Sequence, residues 1–107
     1  QLMSMSRALP QNSRSQAQIR ELFQHLVAGK PFRTLVDPGP GYPDLRLEAE
    51  SLPNGGIRLR GSRGTGAAMK FLPRPELPEN PVEQGEAFEK WVRAELGELL
   101  EGISRTP

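Results

Sequence analysis

Cysteine is absent from this chain, and histidine occurs once, as His25. Disulfides and thiolate chemistry are thereby excluded, and a zinc site would have to rest almost wholly on carboxylates. No metal or other cofactor is expected. Aromatic residues are 6% of the 107 positions, with one Trp and one Tyr, and hydrophobic residues of all kinds are 36%. The core is therefore expected to be thin, which favours an oligomer or a larger assembly, because small domains bury a smaller share of their surface. No apolar run approaches the ~18 residues of a membrane span. The opening residues, Gln1-Leu2-Met3-Ser4-Met5-Ser6, lack the charged and apolar regions of a signal peptide. The expectation is a cytoplasmic protein without membrane contact, with Gln1 and Leu2 standing ahead of a native Met. Charge of one sign is lacking too. Lys and Arg number 14 and Asp and Glu 13, a formal net charge of +1, so no whole-molecule field recruits nucleic acid or an anionic surface.

What the chain has in quantity is punctuation, with 11 Gly and 11 Pro. Residues 1–14 show no period and read as a mobile arm, followed by a single domain over residues 15–103 and a tail over 104–107. Ser13 with Gln16, or Ser15 with Gln18, has the spacing of a capping box. Ile19, Leu22, Phe23, Leu26 and Val27 then make one apolar stripe on a helix that stops at Gly29-Lys30-Pro31. Residues 32–36 read as a short strand, and the Pro- and Gly-rich residues 37–44 as irregular. Leu45, Leu47 and Ala49 alternate with Arg46, Glu48 and Glu50, and Ile57 and Leu59 alternate with Arg58 and Arg60, which predicts a half-buried antiparallel hairpin.

The connecting turn fixes the hairpin's register. Pro53-Asn54-Gly55 suits a three-residue loop built as a type I turn plus a left-handed residue, with Gly55 at positive φ. Ser51 then faces Ile57, Glu50 faces Arg58, Ala49 faces Leu59 and Glu48 faces Arg60, so apolar residues share one side and opposite charges the other. Residues 61–66 read as a flexible loop. Residues 67–72 read as a further strand with Met69 and Phe71 on one side and Lys70 on the other, and Pro73, Pro75 and Pro78 as a stiff connector. Asn80 caps a last helix whose first residue is Pro81, with Phe88, Val92, Leu96, Leu99 and Ile103 as its stripe and Glu86–Lys90 and Glu89–Arg93 as i,i+4 pairs. The fold class is α+β, a two-layer α-β-β-β-β-α order: N-terminal helix, four-stranded antiparallel sheet, long C-terminal helix.

Chemistry-bearing patterns are few. Gly61-Ser62-Arg63-Gly64-Thr65-Gly66 exposes backbone N–H groups beside a cation, but it leads into a strand and not a helix, so an ordinary hairpin connection outweighs an anion cradle. His25 falls on the polar side of the first helix. Ser62 lacks a nucleophile elbow, and the carboxylates lie on helix and strand surfaces, so no catalytic set is expected. Arg58, Arg60, Arg63, Lys70 and Arg74 fall in a stretch without an acid, which supports a nucleic-acid-binding regulator that also uses Arg7 and Arg14 of the arm. Against it stand the pairing of Arg58 and Arg60 with glutamates and the lack of stacking aromatics, since Phe71 alternates away from Lys70. On the last helix, Trp91 lies about 100° from the centre of the stripe and Gly85 falls within it. Gly85, Phe88, Trp91 and Glu95 are therefore the candidate protein interface, with Trp91 lying over the domain's own sheet as the alternative. The favoured reading is a non-enzymatic interaction module, an adaptor or regulatory subunit acting as a homodimer or within a complex.

Overall fold

Asn12 starts the first helix, because its side-chain oxygen accepts the Ser15 N–H at 2.9 Å and its backbone carbonyl the Gln16 N–H at 3.0 Å. The cap is thus one residue ahead of the serines that the spacing suggests. The Ser15 hydroxyl turns back to donate to the Asn12 carbonyl at 3.1 Å. Helix α1, Ser13–Ala28, ends at Gly29 in the left-handed conformation with φ 72°, as a glycine stop does. The computed structural model describes Leu9 and residues 12–105. The predicted arm is shorter than expected. Leu9 is 2% exposed within the core, and its N–H donates to the Arg93 carbonyl at 3.1 Å. Ser13 and Arg14, read as part of the arm, belong to α1, and Arg14 Nη1 stands 3.7 Å from Asp37; residues 1–8, 10 and 11, Arg7 included, lie outside the described residues, as do Thr106 and Pro107 of the tail.

Four strands follow: β1 Phe32–Val36, β2 Leu45–Ser51, β3 Ile57–Arg63 and β4 Gly66–Leu72, and then helix α2, Pro81–Arg105. They form one antiparallel sheet in the order β1-β2-β3-β4, so β1 and β4 are its edges. The β2–β3 register has Ser51 opposite Ile57, Glu50 opposite Arg58, Ala49 opposite Leu59 and Glu48 opposite Arg60, as the turn requires. Gly55 has φ 90°, and Asn54 accepts the Gly56 N–H at 2.9 Å to tighten the loop.

Residues 61–66 are not a loop. Gly61, Ser62 and Arg63 continue β3, and the connection shrinks to Gly64-Thr65, with Arg63 opposite Gly66. The physical reason is packing, because a Cβ on Gly61 would stand 2.8 Å from Ile103 Cδ1 and 3.1 Å from Leu47 Cδ2. Gly61 thus lets the last turns of α2 approach the sheet, and its presence signals close packing and not flexibility.

Both helices cover the same side of the sheet, α1 over β1 and β2 and α2 over β3 and β4. Ile19, Leu22 and Leu26 from α1 meet Leu47, Ala49, Ile57 and Leu59 from the sheet and Phe88, Val92 and Leu96 from α2. Val27, predicted in the stripe of α1, is 55% exposed, because the helix ends beside it. Asn80 caps α2 as expected, accepting from Val82 at 2.9 Å and Glu83 at 3.3 Å. Among the described residues no helix is long and apolar enough to cross a membrane.

Candidate interaction surface

The outward alternation of four strands makes a single uncovered face. It presents Arg33 and Leu35 from β1, Arg46, Glu48 and Glu50 from β2, Arg58 and Arg60 from β3, and Met69 and Phe71 from β4, as the registers dictate. Leu35, Met69 and Phe71 are 60%, 51% and 67% exposed. Between them runs a charge ladder. Arg58 Nη2 lies 2.7 Å from Glu50 and 3.3 Å from Glu48, and Arg33 Nε lies 3.4 Å from Glu48. Arg60 stands opposite Glu48, but Glu48 is engaged by Arg33 and Arg58, and Arg60 makes no ion pair among the described residues.

The predicted basic cluster divides over three places. Arg58 and Arg60 lie on the open face, where Phe71 is opposite Arg58 and Met69 opposite Arg60, so the aromatic residue shares the arginines' side. Lys70 points the other way, beneath α2, and donates to Glu95 Oε1 at 2.6 Å and Glu98 Oε1 at 3.0 Å. The bond to Glu95 is the main cause that raises the Lys70 pKa above its ordinary value; burial lowers it, and Glu98 raises it again. Arg63 sits at the far end of β3, with Nε 3.2 Å from Asp44 and its guanidinium 5.4 Å from the centre of the Tyr42 ring. Arg74 lies beside the β2–β3 turn, close enough to Gly55 to contact a Cβ built there.

The residues proposed on α2 separate in the same way. Phe88 is fully buried and forms part of the core, with its ring centre 4.8 Å from that of Phe23. It is therefore withdrawn from the candidate interface: a partner could reach it only by opening the core. Trp91 is half-buried against that core with its ring centre 6.0 Å from Phe88, the arrangement of a Trp lying over its own domain. Glu95 holds Lys70. Around Gly85 a Cβ would meet nothing within 4 Å, so among the described residues no other element approaches it closely.

Three arrangements escape the sequence. The Glu89–Arg93 pair reads as a surface pair but is buried, with Arg93 3% and Glu89 7% exposed. Arg93 Nε donates to Glu89 Oε2 at 3.1 Å and Nη2 to the buried Ser15 hydroxyl at 3.1 Å, and Gln16 reaches Glu89 Oε1 at 3.5 Å. This network pins α1 to α2 beside an open cleft of about 510 Å³ whose walls include Arg20, Glu86 and Lys90. His25, expected to be exposed, is half-buried and stacks on Phe32 with ring centres 4.1 Å apart and planes 12° apart. Among the described residues no group of three or more His, Asp or Glu side chains is placed to hold a metal ion. The exposed apolar residues of the open face also went unassigned, and the signal for them was the two-residue turn at Gly64-Thr65. Compared with known protein families, curated proteins and solved structures, the chain finds no match in any of the three.

Proposed function

We propose that this chain is a non-enzymatic protein-interaction module that meets its partner through the uncovered face of the sheet. The observation that carries this reading is the exposure of Met69 and Phe71 side by side on one edge strand of that face. Isolated surface apolar residues are ordinary, but adjacent large ones rimmed by paired charges match the make-up of protein contact sites, apolar at the centre and polar around it. The Arg33–Glu48–Arg58–Glu50 ladder neutralises the middle of the face and leaves Arg46 and Arg60 as its cations without an ion pair among the described residues. The test is capture of the native complex with nuclease treatment, comparing unmodified protein with Phe71→Glu and Trp91→Glu. A stoichiometric protein partner that resists nuclease, is lost with Phe71→Glu and is kept with Trp91→Glu is the expected result. Loss with Trp91→Glu alone would return the interface to α2.

Nucleic-acid contact is the second reading, favoured by Phe71 on the same side as Arg58 and Arg60, where a base could stack beside a guanidinium. With four arginines on the face, Arg33, Arg46, Arg58 and Arg60, its affinity should fall with salt by a log–log slope no steeper than about 4. Absence of a mobility shift with single-stranded DNA or RNA at low salt would remove this reading.

A further inference from the structure

We infer that the partner of this face is a second copy of the chain, docked edge to edge through β4 about a two-fold axis at Met69. The inference rests on the reading of the open sheet face as a protein contact site, and it names the occupant and the register.

The hydrogen-bonding phase of β4 follows from the turn before it. Arg63 and Gly66 close a two-residue hairpin with Gly64 at φ 57°, so they form a hydrogen-bonded pair, as do Gly61 with Ala68, Leu59 with Lys70 and Ile57 with Leu72. The other hairpin agrees independently: the Leu52 N–H donates to the Gly56 carbonyl at 2.9 Å, which sends the Arg58 and Arg60 backbone groups toward β2 and those of Ile57, Leu59 and Gly61 toward β4. The backbone N–H and C=O of Ala67, Met69 and Phe71 are therefore left pointing at the free edge. No proline or bulge interrupts them before Pro73; of the devices that usually blunt an edge, β4 carries the inward-pointing Lys70, which Glu95 and Glu98 neutralise.

The sequence of β4 complements itself when reversed. With Met69 opposite its own symmetry mate, Ala67 faces Phe71, Ala68 faces Lys70 and Gly66 faces Leu72, so the small residues of the first half receive the large residues of the second. On the open face each Phe71 ring lies over the other copy's Ala67, near the exposed Arg60, which makes no ion pair among the described residues. Charge selects the same register. Shifting the axis to Lys70 would set two ammonium groups directly opposite, which is unfavourable. The Met69 register instead places each Lys70 against an alanine while its own Glu95 and Glu98 keep it neutralised. The three outward-facing residues of each copy would add about six backbone hydrogen bonds to a continuous eight-stranded sheet.

The absence of cysteine makes the register directly testable in the full chain. A hydrogen-bonded antiparallel pair has its Cα atoms about 5.5 Å apart, within disulfide range. Under mild oxidation Met69→Cys should yield a covalent dimer, whereas Ala67→Cys and Phe71→Cys should each stay uncrosslinked alone and join when mixed. Sedimentation should give twice 11.8 kDa for the unmodified protein. Met69→Lys, at an exposed site that leaves far-UV circular dichroism unchanged, should raise the dimer dissociation constant by about tenfold or more. A protein that remains monomeric at millimolar concentration overturns the second copy as occupant while leaving the capture experiment to judge the open face by itself. A dimer that crosslinks best elsewhere overturns the β4 register, and one that survives Met69→Lys does the same.

Discussion

Lys70 is an inward-pointing cation on an edge strand, and its two carboxylate partners on α2 decide when it is tolerated. Its pKa is raised in the folded protein, so the protonated form is favoured by folding. That contribution is fully present below the unfolded value of about 10.4 and fades as pH rises through the higher folded value. Lys70→Met should therefore remove part of the alkaline loss of stability, read as a smaller fall in unfolding free energy between neutral and strongly alkaline pH. Glu89 is a buried carboxylate whose removal takes from the buried Arg93 guanidinium its ion-pair partner. Glu89→Ala should cost about 3–5 kcal/mol in denaturant unfolding, the range for breaking one side of a buried ion pair. A loss below about 1 kcal/mol would mean that Ser15 and other neighbours suffice for Arg93.

At the scale of elements, what could be read beforehand was whatever local chemistry determines. Periods of two and 3.6 located both helices and the strands, and Pro53-Asn54-Gly55 fixed a register that the structure reproduces residue for residue. The failures share one cause, which is that burial depends on partners distant in sequence. Gly61 looked like loop chemistry because its reason for lacking a side chain, Ile103, lies at the end of the chain. Glu89 and Arg93 looked like a solvated pair because Ser15 and Leu9, which cover them, lie near its start. Exposed Phe71 could be set apart from Lys70 by alternation, but choosing which of the two faces water needed the two-residue turn at Gly64-Thr65, which sets Phe71 opposite Arg58 and was hidden while Gly61 looked like loop chemistry. Gly61→Val should accordingly destabilise the fold by about 1–3 kcal/mol, the range for overfilling a packed site, with a lowered thermal midpoint as the measurement. An unchanged midpoint would show that Ile103 and Leu47 yield freely.

For the whole molecule, the sheet divides two environments. One side is covered by both helices and holds the core; the other carries a charge ladder flanked by exposed apolar residues at the two edge strands. A sheet of this kind has two free edges, and they are not equivalent. Each lies under a helix, but edge strand β1 has five residues, whereas β4 has seven and ends in a two-residue turn on one side and Pro73 on the other. The longer edge is the one whose outward residues are apolar, so any contact of the open face that also uses backbone groups is steered to β4.

The Ser15–Arg93 bond joins residues 78 positions apart, and its consequence reaches back to how the chain is made. During synthesis α1 and all four strands leave the ribosome before α2, so the apolar side of the sheet stays half-covered and Ser15 lacks its guanidinium until α2 emerges. The fold is thus completed only when α2 docks, and the nascent chain passes through a stage in which the β4 edge and the half-covered core are exposed together, the combination that invites misassembly.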